Sequence, residues 1–267
     1  MKKNILYIVI GLLVVSGGVG YFMWSQSSGI DTEPEKDLSA EDVTFPEDLE
    51  VGESTEQNGY TIERLPDATD GTSVIKPDLN REIPSRPESV TEEAYAQIIL
   101  NMNTTANAIK EADNFNAWLN LASYRTMLGD YKGSEEIYIY LTKKYSPAWQ
   151  VHANLGNLYF TYLVDLKKSA MNYRTSIDLL PSNPALYRSL FEVYMKDGLQ
   201  TEAVAVLQEG IAHEPKAIDL YVLLARHYRD TNKGAEAKTY YNRAIEQARA
   251  VDNTSLVIQL EAERDSF

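Results

Sequence analysis

Tyr187 to Ala244 reads YRSLFEVYMKDGLQTEAVAVLQEGIAHEPKAIDLYVLLARHYRDTNKGAEAKTYYNRA, and inside it the chain copies itself at one fixed distance. Tyr187, Leu190, Tyr194, Ala203, Leu207 and Gly210 return thirty-four places later as Tyr221, Leu224, Tyr228, Ala237, Tyr241 and Ala244, while Pro215 gives way to Arg249. Thirty-five places before Tyr187, Leu190 and Tyr194 stand His152, Leu155 and Tyr159, and thirty-four before the other slots stand Ser169, Tyr173, Ser176 and Pro181. A further thirty-four back stand Trp118, Leu121 and Arg125, and a further thirty-five back stand Ser134, Tyr138, Leu141 and Ser146, so one extra residue lies between Tyr159 and Ser169. The residue types suit two antiparallel helices packed on the next pair: large rings fill the space between them, and a small residue at the crossing lets the backbones approach.

Four copies of this length, each opening on a ring and carrying Leu three residues on and a small residue mid-copy, with Pro closing the second and third, resemble the tetratricopeptide repeat. The resemblance covers about half the chain, from Phe115 to Ala250. It implies an all-α helix–turn–helix solenoid with units over about 115–148, 149–183, 184–217 and 218–252. Gly129, Gly198 and Gly234 stand in the turns of the first, third and fourth copies, where Gly can take the left-handed backbone that closes a helix. In the second copy Leu163-Val164-Asp165-Leu166 has no Gly, and the thirty-fifth residue falls here, so a distorted or longer first helix is expected.

Ahead of the repeats, residues 1–4 carry two lysines and residues 5–24 carry no charge. Twenty helical residues span about 30 Å, the thickness of a bilayer core, and Tyr21, Phe22 and Trp24 lie where an interfacial aromatic belt belongs. This reads as a retained signal anchor with its N-terminus cytoplasmic and the remainder across the cell (inner) membrane. The competing reading is a secretory signal cleaved near Gly18-Val19-Gly20, which would release the protein; the length of the apolar run favours the anchor. From 25 to 88 come six of the ten prolines, and from Ser25 to Val90 seventeen acidic residues stand against five basic. The formal charge of −14 therefore lies mostly in this stretch, which reads as a disordered acidic linker. Within it Gly59–Ile62 and Thr72–Ile75 alternate weakly and could form short strands or a strap, with transient extended chain the plainer reading. Ser89 and Glu92 have capping-box spacing, which places a capping helix over 89–113. Leu256 and Leu260 share one face of a C-terminal cap over 253–267.

For catalysis the yield is small. The chain has no Cys and three His; His152 sits in a ring slot, and neither His213 nor His227 has a neighbour at ligand spacing, so no metal site is expected. There is no phosphate loop and no nucleophile motif, so neither cofactor nor small-molecule substrate is expected, and the chain reads as no enzyme. Glu135-Glu136 reads as a solvated face, and Lys143-Lys144 and Lys167-Lys168 are too few for nucleic acid.

What remains is a groove. In tetratricopeptide arrays the first helices line a concave surface, and the resemblance places Asn120, Ser123, Asn154, Asn157, Phe160, Arg188, Glu192, Arg226 and Arg229 there. Amides can bond an extended peptide backbone and arginines can fork a carboxylate. The expectation is a membrane-anchored scaffold that binds a protein or peptide partner and supports assembly of a complex. A self-assembling solenoid element and a non-catalytic subunit of an envelope enzyme are the alternatives.

Overall fold

The computed structural model describes residues 56–57, 60–61, 75–145 and 148–267. The candidate span over 5–24 and most of the acidic stretch lie outside the described residues, and among the described residues no helix is long and apolar enough to cross a membrane. Two short strands, β1 (Glu56–Gln57) and β2 (Tyr60–Thr61), pair antiparallel with Glu56 opposite Thr61. All else that is regular is helical.

A helix α1 (Glu92–Glu111) is followed by pairs: α2 (Phe115–Met127) with α3 (Tyr131–Lys144), α4 (Trp149–Leu158) with α5 (Leu166–Leu179), α6 (Pro184–Lys196) with α7 (Gln200–His213), and α8 (Ile218–Asp230) with α9 (Gly234–Ala250). The chain closes on α10 (Thr254–Arg264). Asn and Asp side chains start several helices by accepting backbone N–H groups: Asn114 for α2, Asp130 for α3, Asn183 for α6 and Asn253 for α10. The cap of α1 is Thr91 rather than Ser89, its side chain accepting from Ala94 N. A turn closed by Val90 N–H to Pro87 C=O occupies the residues before it, so the helix starts later than the Ser89/Glu92 spacing suggests.

The slots explain their residue types. Trp118, Tyr187 and Tyr241 are fully buried. Tyr187 and Tyr221 each donate the hydroxyl to the carbonyl of the proline six residues earlier, at 2.9 and 3.1 Å, and so tie each pair to the turn before it. In the small slot Ser134, Ser169, Ala203 and Ala237 are all fully buried. Ser134 donates to Ala122 C=O and Ser169 to Gly156 C=O, each at 2.8 Å, so the serines add a helix-to-helix bond that the alanines lack. Gly210 is held by steric need: a Cβ there would lie 2.7 Å from both the Tyr187 ring and Leu220.

The turn inside each pair uses one left-handed residue: Gly129 (φ 81°), Val164 (φ 51°), Gly198 (φ 80°) and Asn232 (φ 59°). In the fourth pair this residue is Asn232, not Gly234, which already begins α9; Asn tolerates the left-handed region and replaces Gly there. The second pair departs as its length demands. The extra residue is absorbed in a π-turn, Tyr159–Leu163, at the end of α4, and the left-handed position then falls on Val164.

The described chain from 75 onward forms two compact units, 75–172 and 173–267, with the boundary inside α5. The first has a core of Trp118, Leu121, Ile137, Leu141, Leu155 and Tyr159 with α1 residues Ile98, Met102 and Ile109. The second has a core of Tyr221, Ala225, Tyr241, Ala244 and Ala248 with Val257 and Leu260 of α10.

Residues 75–90 correct the expectation of a disordered linker reaching to 88. Leu79, Ile83 and Val90 pack on the first unit's core, and Pro77 is buried. Arg81 pairs with Asp130 at 3.1 Å and with Glu136 at 2.9 Å, and the Lys76 ammonium stands 5.7 Å over the Trp118 ring. The strap also gives Arg125 an acceptor. That residue occupies a slot filled by Tyr in the other three copies, is fully buried, and donates to the Asp78 carbonyl. Burial pushes the Arg125 pKa down, and the carboxylate of Asp130 only partly opposes this. A buried guanidinium needs acceptors, and the strap brings one.

Candidate functional site

In the first unit α3 packs against both α2 and α4. α2 and α4 carry Asn120, Ser123, Tyr124 and Asn154 at half-buried positions and Asn157 at an exposed one, and the π-turn after α4 carries Phe160, half-buried; the Tyr124 ring packs on the core. Ser123 donates to Leu119 C=O and Asn157 accepts from Thr161. Asn120 Oδ1 is buried without a hydrogen-bond partner. At the turn end, Tyr131 of α3 stacks on Tyr162 of the π-turn with centroids 4.5 Å apart and planes at 21°, and Tyr162 is 40% exposed.

The neighbouring polar groups are turned to structural work. Glu135, expected to be solvated, is buried: Tyr159 donates to it at 2.6 Å and Lys132 pairs with it at 2.7 Å. Burial raises its pKa, but the Lys132 and Tyr159 hydrogen bonds outweigh that and hold the carboxyl below its ordinary value. The sequence hid this because Tyr159 comes from the next pair. His152 lies 3.3 Å from Asn172, and burial lowers its pKa, so it is a neutral packing group. Asp113 gathers Trp118 Nε1 at 2.6 Å, Lys144 and Tyr140, closing the corner between α1 and α3.

In the second unit the expected basic residues already hold carboxylates of the chain itself. Arg188 pairs with Asp219 at 3.3 Å, both partly exposed, and Glu192 is exposed. Arg226 forks Glu263 of α10 with Nε and Nη2 at 2.9 and 2.8 Å. Arg229 bonds Asp230 and the Tyr241 hydroxyl and lies 3.8 Å from Glu263, to which Tyr241 donates at 3.0 Å. Hydrogen bonding from Arg226 is the largest cause that brings the Glu263 pKa down to about 2. Sequence reasoning placed these arginines on one face but missed Glu263. Its helix read as a solvating cap, and only the fold brings α10 beside α8. Among the described residues no three His, Asp or Glu side chains converge as metal ligands.

Helix pairs at this interval, with these slots, define a tetratricopeptide type of fold. No protein-family model matches the chain, and no curated protein sequence matches it. Among solved structures, the crystal structure of MamA is similar over 59% of this chain and 86% of its own, at 19% identity and a TM-score of 0.46. TTC0263, a thermophilic TPR protein in Thermus thermophilus, is similar over 64% of this chain and 95% of its own, at 19% identity and a TM-score of 0.44. YrrB, a TPR protein with an unusual peptide-binding site, is similar over 58% and 77%, at 14% identity and a TM-score of 0.41.

Proposed function

We propose that the chain is an anchored interaction module that binds segments of partner proteins and has no catalysis of its own. Residues 5–24 span the inner membrane, the N-terminus lies in the cytoplasm, and the helix pairs stand on the extracytoplasmic side, where they support assembly of a protein complex. The anchoring half of the reading rests on the uncharged run behind two lysines. The binding half is carried by one observation: α2, α4 and the π-turn after them place amides, hydroxyls and rings, and no ionised group, at half-buried or exposed positions. Such a surface supplies both donors and acceptors together with apolar contact area.

A photo-crosslinking side chain at Asn157 of the full chain, activated in native membranes, tests the binding half. The expected result is a covalent adduct to another protein that is absent when the probe sits at Lys143 on α3; adducts at both positions or at neither would remove the face from consideration. External protease on spheroplasts tests the placement, since cleavage after residue 25 is expected and full protection would reverse the topology.

A further inference from the structure

Charge is distributed unevenly in the first unit. Lys, Arg, Asp and Glu make up 24% of the chain, yet from Phe115 to Met127 and from Trp149 to Leu163 the only such residue is Arg125, which is fully buried. The second helices of the same pairs carry the ionised groups, including Lys132, Glu136, Lys143 and Lys168. A face that only meets water normally carries Lys and Glu, whereas depletion of charge together with exposed rings marks surfaces that bury against a partner. The polar side chains here include Asn116, Asn120, Ser123, Asn154, Asn157 and Thr161.

We infer that the face of α2 and α4 receives an uncharged, extended segment of a partner protein, with a proline or ring of that segment on the stacked Tyr131–Tyr162 pair. An extended chain leaves its backbone N–H and C=O groups open to side-chain amides, whereas a docking helix has already used its own. An acidic or basic segment would lose hydration on this face and meet no opposite charge. The arginines first assigned to a carboxylate are in the other unit, where Asp219 and Glu263 hold Arg188 and Arg226. Binding is therefore expected to depend little on ionic strength, unlike recognition through exposed ion pairs.

The inference rests on the interaction-module reading, and the test separates the two. Selection of displayed random dodecapeptides on the immobilised full chain is expected to enrich sequences poor in Lys, Arg, Asp and Glu and containing Pro or an aromatic residue. Affinity of an enriched peptide should change by less than about twofold between low and high salt. Asn120→Ala with Asn157→Ala should weaken it about tenfold, the loss of two modest hydrogen bonds. Arg226→Ala with Arg229→Ala should leave it unchanged. Because Asn120 is half-buried, Asn157→Lys alone, at an exposed site, serves as the second variant and should also weaken binding. Enrichment of charged peptides, salt-sensitive affinity, or dependence on Arg226 and Arg229 would overturn the uncharged-segment inference and leave the module reading standing. Failure to enrich any peptide would overturn both.

Discussion

Val164 adopts φ 51° and ψ 48° at the place where the other pairs use Gly or Asn, and its side chain is 64% exposed. A left-handed residue with a Cβ costs roughly 1–2 kcal/mol, and little packing offsets that here. Val164→Asn, which copies Asn232 of the fourth pair, is expected to stabilise the protein by about 1 kcal/mol; an unchanged or lower melting midpoint would show that the π-turn depends on the valine. The opposite case is Gly210, where an added methyl would meet both the Tyr187 ring and Leu220. Gly210→Ala should cost roughly 1–3 kcal/mol as overpacking, read as a fall in the denaturant midpoint. Tyr187 and Gly210 were legible as slots because the repeat aligns them with their counterparts. Arg125 aligned equally well, but no spacing could reveal its burial, since one of its acceptors, the Asp78 carbonyl, lies outside the repeats.

Among the elements, the strap and α10 behave alike: each flanks the helix pairs with few apolar anchors and is secured by an Arg–carboxylate network. For the strap the anchors are Leu79 and Ile83, with Arg81 bridging to Asp130 and Glu136. A chain beginning at Ser89 was the natural minimal domain from sequence, because composition separates 25–88 from the helices. The packing predicts that it is destabilised by at least about 3 kcal/mol against one beginning at Ser73, since two apolar contacts are lost and Arg125 is left buried with an acceptor missing. Equal unfolding midpoints for the two chains would show that the strap adds nothing. The strap was hard to read because its alternation is brief and its partners are distant in sequence: Arg81 reaches Glu136 across fifty-five positions.

For the molecule as a whole, the formal charge of −14 is carried mostly by the stretch before α1, so acid acts on the folded part chiefly through its bonded carboxylates. Glu263, held near a pKa of about 2 by Arg226, is the clearest of these. A depressed carboxylate contributes stability that is complete above its ordinary value of about 4.5 and is lost as pH falls from there through about 2. Acid should therefore loosen α10 within that window, seen as falling protection of the Val257 and Leu260 amides relative to their unstructured exchange rates, and Glu263→Gln should flatten the dependence; protection independent of pH over that range would contradict the assignment. The helix-pair architecture was legible before any coordinates, because the slots recur at a nearly fixed interval and each slot imposes a steric demand that few residue types meet. The spacing also marked the second pair as irregular, since one extra residue cannot be hidden in a helix. Only the tertiary structure decided which charges are spent inside the fold. Arg226 and Arg229 line a first helix in sequence, but the carboxylate they hold, Glu263, arrives from a helix more than thirty residues away, and such pairing depends on distance in space.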